Sequence, residues 1–187
     1  MSKRILLLAS GTGSLAGAIL SAHSAGEISA NFVALISDKD SSALLVAREF
    51  GVKDIYIPMQ ETRSNWDHEI FDRTQELNPD LIVSVGFMRI LAPRYVSTFR
   101  VINTHPSLLP QHRGAHAVRD ALQSGASMTG STVHWVDSGL DTGPVISQRS
   151  VEVLSQDDEA TLHERIKIVE RALIVETLVE YGRTGKL

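Results

Sequence analysis

The chain has 187 residues, of which 43% are hydrophobic, so it is long enough for one substantial core and short for two. Its formal net charge of -4 shows no basic excess, so we expect neither nucleic acid nor a membrane surface as a partner. Cysteine is absent, which excludes disulfides, thiolate metal ligands and a cysteine nucleophile. No apolar stretch approaches the roughly 18 residues of a membrane-spanning helix. We therefore expect one cytoplasmic domain over residues 1–187.

In the first half of the chain, apolar runs alternate with helical patterns, which is typical of a parallel sheet with crossover helices. The predicted strands cover residues 5–9, 32–37, 55–58, 81–85 and 101–104. The predicted helices cover residues 14–25, 41–50 and 63–77.

The second half has a different pattern. Residues 115–124 favour a helix, whereas residues 132–136 and 145–153 favour extended strands that form an antiparallel addition. A final helix is indicated by apolar residues at helical spacing after an acidic first turn, namely Leu162, Ile166, Val169 and Leu173. The sequence thus predicts an α/β fold with a Rossmann-like, mostly parallel sheet flanked by helices and an antiparallel C-terminal addition.

A glycine loop, residues 11–14, joins the first predicted strand to the first helix. Glycines let the backbone turn tightly, and the helix N-terminus adds a partial positive charge, so the loop is suited to a phosphate. With Ala16, the loop also fits a relaxed dinucleotide fingerprint, and Asp38 ends the second strand where a ribose-binding acid would lie. A phosphate site and a nicotinamide-dependent oxidoreductase both remain open at this point.

Asn103 and His105 lie two residues apart on a predicted strand, so their side chains leave the same face. An amide donor beside an imidazole suits acyl transfer, because one can stabilise an oxyanion and the other can move a proton. Asp141, in the glycine-rich loop 136–144, is the candidate carboxylate that orients His105 and favours its protonated form.

Two other arrangements of these side chains are less well supported. A hydrolase triad of Ser107, His105 and Asp141 lacks the glycine-flanked elbow that presents a nucleophilic serine. The histidines at positions 105, 112, 116 and 134 do not have the spacing of a known ligand set, so we predict no metal site.

Four segments together resemble the phosphoribosylglycinamide formyltransferase family of purine biosynthesis: residues 10–14 (SGTGS), 86–91 (GFMRIL), 103–110 (NTHPSLLP) and 140–144 (LDTGP). The resemblance extends from residue 4 to about residue 181. It implies a formyltransferase fold, as a monomer or homodimer, that moves the formyl group of 10-formyltetrahydrofolate to the amine of 5'-phosphoribosylglycinamide.

The resemblance also implies roles for individual residues. The catalytic residues would be Asn103, His105 as proton donor and Asp141 as its partner. Substrate would bind, with its phosphate on Gly13 and Ser14 and its ribose near the last helix, to Gly11, Thr12, Gly13, Ser14, Leu15 and Glu170. The folate would bind to Arg63, Met88, Arg89, Ile90, Leu91, Asn103, Val136, Asp137 and Asp141.

The chain departs from the family pattern at Leu15, where many members have asparagine, so we expect altered substrate contacts. Residues 113–115 (Arg-Gly-Ala) are similar to methionyl-tRNA formyltransferases, which carry a further C-terminal RNA-binding domain. Formyltetrahydrofolate hydrolases share the core and carry an N-terminal regulatory domain; we expect neither addition here. A related formyl-transferring or formyl-hydrolysing enzyme, an oxidoreductase and a binding module without turnover remain the alternatives.

Overall fold

A seven-stranded sheet forms the centre of the molecule in a computed structural model that describes residues 2–187. Its strands are β1 (Lys3–Ala9), β2 (Ala30–Ser37), β3 (Asp54–Tyr56), β4 (Leu81–Ser84), β5 (Val101–His105), β6 (Met128–Trp135) and β7 (Val145–Glu152). They lie in the order β3-β2-β1-β4-β5-β6-β7. The pairs among β1 to β5 are parallel, whereas β5-β6 and β6-β7 are antiparallel. The predicted α/β class, with a mostly parallel sheet and an antiparallel C-terminal addition, is confirmed.

Helices cover both faces of the sheet: α1 (Ser14–Ser24), α2 (Ser42–Glu49), α3 (Arg63–Leu77), α4 (Pro93–Thr98), α5 (Ala117–Gln123) and α6 (Glu159–Thr184). Successive side chains of a strand point to opposite faces. On β1, Ile5 and Leu7 therefore belong to the core beneath α1, α2 and α6. Leu6 and Leu8 belong to the core beneath α3 and α4. Burial on both faces explains why β1 is a continuous apolar run.

Helix α6 is fixed at both ends. The Asp158 carboxylate accepts the Thr161 amide at 2.8 Å, and the Thr161 hydroxyl accepts the Asp158 amide at 3.0 Å, which forms a capping box. Gly185 ends the helix with a φ of +71°. The helix buries Leu162, Ile166 and Leu173, as the sequence pattern predicts.

Several boundaries differ from the sequence prediction. Helix α4 was not predicted, because its six residues bury only Tyr95 and give no readable period. Strand β6 begins at Met128 rather than residue 132, because Thr129 and Ser131 are polar yet fully buried and hide the strand pattern. Helix α5 begins at Ala117, after residues 115 and 116.

The order of the strands creates a crevice at one edge of the sheet. The chain proceeds from β1 to β2 and β3 on one side, and from β4 to β5 on the other. Ligands of open α/β sheets bind at such a switch point, outside the carboxyl ends of the strands. Here those ends carry the glycine loop after β1 and the segment after β4. Within residues 2–187, none of the helices combines the length and apolarity needed to cross a membrane.

Candidate active site

A cavity of about 630 Å³ opens at this edge of the sheet. The glycine loop lines it, and the segment after β4 forms one wall. The end of β5, the loop after β6 and one side of α6 complete the lining. The glycine loop, the loop after β6 and helix α6 are far apart in the sequence, yet all three line this cavity at the carboxyl ends of β1, β4 and β5.

The backbone requires a glycine at position 13, where the glycine loop lines the cavity. Its φ is +78°, and a Cβ built there would lie 2.7 Å from the Cα of Ala43 on α2. Only glycine adopts this conformation without strain and leaves that space. By contrast, no atom lies within 4 Å of a Cβ built on Gly11, which faces open space.

The first turn of α1 presents free amides at the glycine loop. Gly17 makes the first hydrogen bond back to the loop, from its amide to the Gly13 carbonyl at 2.7 Å. The preceding amides have no intrahelical acceptor, so an anion can bind there. Thr12 and Ser14 are exposed beside them, whereas Leu15 lines the cavity while packing into the core.

His105 and Asp141 meet at the centre of the cavity. The His105 Nδ1 lies 3.4 Å from the Asp141 Oδ2, and its Nε2 donates to the His112 carbonyl at 2.8 Å. The same Asp141 oxygen accepts the Gly114 amide at 2.9 Å. Asp141 has a φ of +52°, a left-handed conformation that is unfavourable for a non-glycine residue and typical of functional sites. The loop therefore holds this carboxylate in a fixed place against His105.

Asn103 is paired with a second histidine. Strands β5 and β6 place Asn103 opposite His134, and the Asn103 Nδ2 lies 3.3 Å from the His134 Nε2. The other ring nitrogen of His134 donates to the Trp135 carbonyl at 2.8 Å. Burial lowers the pKa of His134, although the Trp135 carbonyl and Asp141 act in the opposite direction. A neutral ring with its proton on Nδ1 leaves Nε2 free to accept from Asn103.

The hydrolase-triad arrangement is not formed. Ser107 is fully buried, and its hydroxyl donates to the Gln111 carbonyl at 2.6 Å. It is not among the residues that line the cavity. For the part of the chain that the structure describes, no group of three or more metal-ligating side chains is arranged to hold an ion.

The wall after β4 exposes apolar side chains to the cavity. Met88 is 69% exposed and Ile90 is 66% exposed, and Leu140 faces the cavity from the loop after β6 with 53% exposure. Large apolar side chains that are exposed together commonly mark a binding surface. Asp137 lies beside them, where the hydrogen bond from the Thr142 hydroxyl lowers its pKa.

Two arginines hold the same wall in place. Arg63 does not line the cavity, but its guanidinium donates to the Ile90 carbonyl and to Asp67. Arg89 lines the cavity, and its Nε donates to Asp38 at 2.6 Å. The Asp38 side chain has no exposed surface, so it is not available to the ribose of a dinucleotide. The glycine loop therefore lacks the acid that the oxidoreductase hypothesis requires.

Helix α6 contributes a buried carboxyl group to the far side of the cavity. Glu170 lines the cavity but is only 6% exposed, and burial raises its pKa. The Thr104 hydroxyl lies close enough to oppose this rise in pKa, although its geometry is not that of a regular hydrogen bond with any residue in the range 2–187. Two buried polar groups at one place indicate a surface that a polar ligand completes.

Comparison with known proteins decides the family. A profile of the formyl transferase family matches residues 3–178. The chain belongs to the formyl transferase family. It is 46% identical to the phosphoribosylglycinamide formyltransferase of Mycobacterium tuberculosis, over 97% of this chain and 86% of that protein. It is 37% identical to the Escherichia coli phosphoribosylglycinamide formyltransferase, over 98% and 88% of the two chains.

Solved structures of the formyl transferase family have the same fold. The glycinamide ribonucleotide transformylase 1 of Symbiobacterium toebii superposes with a TM-score of 0.93 at 34% identity, over 97% of this chain and 88% of that one. The family resemblance predicted from the four sequence segments is confirmed.

Most of the site residues predicted for this formyl transferase line the one cavity. These are Gly11, Thr12, Gly13, Ser14, Leu15, Met88, Arg89, Ile90, Leu91, Asn103, His105, Val136, Asp137, Asp141 and Glu170. Arg63 does not line the cavity and reaches its wall only through the Ile90 carbonyl. His134 was missed as a partner of Asn103, because its position depends on the register between β5 and β6. Three further residues of α6 also line the cavity, namely His163, Lys167 and Arg171. Their four-residue spacing was the one sequence pattern that could have indicated that they share a face of the helix.

Proposed function

We propose that this chain transfers the formyl group of 10-formyltetrahydrofolate to the amine of 5'-phosphoribosylglycinamide, a step of purine biosynthesis. One observation carries the proposal. Asn103, His105 and Asp141 line the same cavity as the free amides of the glycine loop and the exposed apolar side chains of the wall after β4. A charged nucleotide and a flat aromatic donor need these two kinds of surface in one cavity with the reacting groups.

The acceptor binds with its phosphate on the amides of the glycine loop, residues 11–14. Those amides and the α1 dipole complement the negative charge of a phosphate. Its ribose lies against α6, where Glu170 and Thr104 supply hydrogen-bonding groups to the hydroxyls. Leu15 supplies an apolar side chain, so backbone groups rather than a side-chain amide hold this substrate.

The donor binds against the wall after β4. Its ring system packs on Met88 and Ile90, whose exposed side chains lose contact with water when it binds. Arg89, Leu91, Val136 and Asp137 complete the pocket. The formyl carbon then faces Asn103 and Asp141 at the centre of the cavity.

The reaction is a direct acyl transfer. The neutral amine of the acceptor attacks the formyl carbon and forms a carbon–nitrogen bond, which gives a tetrahedral oxyanion. The oxyanion collapses, the bond from the formyl carbon to the folate nitrogen breaks, and that nitrogen receives the proton lost by the amine. Product amide and deformylated folate account for all atoms.

Asn103, His105 and Asp141 each have one task in this step. One Asn103 N–H is directed at His134, which leaves the other for the oxyanion. In this structure the His105 Nε2–H donates a hydrogen bond to the His112 carbonyl. When both substrates bind, the same N–H donates to the oxyanion instead. Asp141 orients His105 and accepts the moving proton directly or through water.

Ligand-induced thermal stabilisation tests the proposal against its alternatives. A ligand at about 100 times its dissociation constant stabilises the folded state by about 2.7 kcal/mol. We expect 5'-phosphoribosylglycinamide and folic acid each to raise the melting temperature, and NADH to leave it unchanged. A shift with NADH alone would contradict the proposal and favour the oxidoreductase. Shifts with neither 5'-phosphoribosylglycinamide nor folic acid would contradict it as well.

A further inference from the structure

Asp38 is a buried carboxylate that the proposed reaction does not use. Its side chain lies at the end of β2 with no exposed surface. One oxygen accepts the Ser10 hydroxyl at 2.5 Å, and the other accepts the Arg89 Nε at 2.6 Å. Hydrogen bonds to an ionised group are shorter and stronger than neutral ones, so both contacts hold their donors firmly.

Ser10 extends this network to the backbone of the cavity wall. Its hydroxyl donates to Asp38 and also accepts the Met88 amide at 2.9 Å. Its own amide donates to the Gly86 carbonyl at 3.1 Å. Asp38 is thus connected to the wall twice, through the Arg89 side chain and through the Met88 backbone.

Arg89 is the cation that pairs with Asp38 among the described residues. Its side chain is 33% exposed and lines the cavity, and only its Nε contacts Asp38. Its terminal amino groups form no hydrogen bond with residues 2–187, so they can face a ligand. A buried carboxylate without its cation is strongly unfavourable, which keeps Arg89 in this position.

We propose that Asp38 is a positioning residue for the formyl donor, which fixes residues 86–91 through Ser10 and Arg89. This rests on the proposed function, in which folate binds against that segment. The acceptor subsite is fixed by different contacts, since the Ala43 amide donates to the Gly11 carbonyl at 3.2 Å and Gly13 packs on Ala43. Loss of the Asp38 charge should therefore weaken binding of the donor and leave binding of the acceptor unchanged.

The first test compares Asp38→Asn, which keeps the size and removes the charge, with a matched control. Asp54→Asn removes another Asp–Arg pair, to Arg48 at 2.7 Å, that does not line the cavity. By calorimetry, we expect Asp38→Asn to raise the dissociation constant of folic acid about tenfold, the size of one charge-assisted hydrogen bond. The constant for 5'-phosphoribosylglycinamide should change less than about twofold, and Asp54→Asn should change neither.

A structural readout accompanies the binding data. Amide hydrogen exchange in the ligand-free protein should accelerate over residues 86–91 in Asp38→Asn, and not in Asp54→Asn. Accelerated exchange with unchanged folate binding would overturn the positioning role. Equal weakening of both ligands would overturn it too, because it would indicate general loosening of the site.

Two further variants keep the proposal testable if Asp38→Asn folds poorly. Ser10→Ala removes the second connection without changing the charge, and we expect weaker folic acid binding with the acceptor unaffected. Arg89→Met leaves Asp38 unpaired, so the double variant Asp38→Asn/Arg89→Met should melt at a higher temperature than Arg89→Met alone. If Ser10→Ala binds folic acid as wild type does and the double variant melts no higher than Arg89→Met, the proposed network of Asp38, Ser10 and Arg89 is overturned. A wild-type protein that binds neither folic acid nor 5'-phosphoribosylglycinamide overturns the proposed function itself, whereas wild-type folic acid binding that Asp38→Asn leaves intact overturns only the role of Asp38.

Discussion

The side-chain amide of Asn103 lies 3.3 Å from the Nε2 of His134, directly across the ladder between β5 and β6. His134 is fixed in turn by its hydrogen bond to the Trp135 carbonyl. Because burial lowers the pKa of His134, the ring is neutral near pH 7 and accepts from Asn103. This pairing holds the amide nitrogen of Asn103, which we propose stabilises the oxyanion.

His134→Phe should lower turnover while retaining substrate affinity. The variant keeps a ring of similar size but cannot accept from Asn103, so the amide is free to rotate. We expect kcat to fall at least about tenfold, which is less than the 10²–10³-fold loss of an oxyanion donor itself. Steady-state kinetics check this, with melting temperature as the folding control. An unchanged kcat would show that His134 does not orient Asn103.

Asp141→Asn should fold and lose most turnover. The amide keeps the size of the side chain, but it removes the charge beside His105 and the acceptor for the proton. We expect kcat to fall by about 10²–10⁴-fold, the usual contribution of a general acid–base group. Asp120→Asn, at a partly exposed position on α5, is the matched control and should retain activity. Wild-type turnover in Asp141→Asn would remove this residue from the mechanism.

Gly11→Val should weaken acceptor binding without disturbing the fold. A side chain at Gly11 enters open cavity space, where the phosphate is proposed to lie. We expect KM for 5'-phosphoribosylglycinamide to rise at least about tenfold, the effect of losing one charge-assisted hydrogen bond, while KM for the folate changes little. Gly13→Ala is the contrasting variant and should lose stability, because its Cβ would meet Ala43. Equal increases in both KM values for Gly11→Val would contradict a phosphate subsite at this loop.

Glu170→Gln should raise KM for the acceptor and change the pH dependence of stability. The ordinary pKa of the carboxyl group is 4.5, and burial raises it in the folded state. The folded chain therefore retains this proton where the unfolded chain has lost it, so the free energy of unfolding falls as pH rises from 4.5 through the raised pKa. The titration of one such group lowers the free energy of unfolding by at most about 1.4 kcal/mol per pH unit.

The Gln variant lacks this titration. Urea unfolding at about pH 5 and about pH 8 should show a smaller loss of stability with rising pH than in wild type. We also expect KM for the acceptor to rise about tenfold through the weakened ribose contact. Identical pH profiles for variant and wild type would show that the carboxyl is not buried as described.

The sequence predicted the site best where chain order and local chemistry decide it. Asn103 and His105 share a face because they are two apart on one strand, and Gly13 is needed for a local turn with a φ of +78°. His134 could not be predicted as the partner of Asn103. The two strands are separated by residues 106–127, so no short turn fixes their register.

Buried polar residues account for most of the remaining differences. A role for Asp38 as a ribose-binding acid was left open by the sequence, because a strand-terminal aspartate has the same sequence signature whether it faces a ligand or an internal arginine. The start of β6 was predicted too late in the sequence, because the polar residues Thr129 and Ser131 occupy buried positions and break the apolar pattern. The predicted order of strands and helices depended on hydrophobic periodicity and is confirmed. Two contacts between distant segments, Asn103 with His134 and Asp38 with Arg89, were not predicted.

A two-substrate assay of the purified protein tests the central claim most directly. The loss of 10-formyltetrahydrofolate and the appearance of the formylated acceptor are followed together, with and without 5'-phosphoribosylglycinamide. We predict that the two signals are equal in amount and that both require the acceptor, because the amine is the nucleophile. Formate release without the acceptor would contradict direct transfer and indicate hydrolysis of the donor, and binding of both ligands without any reaction would contradict an enzymatic role.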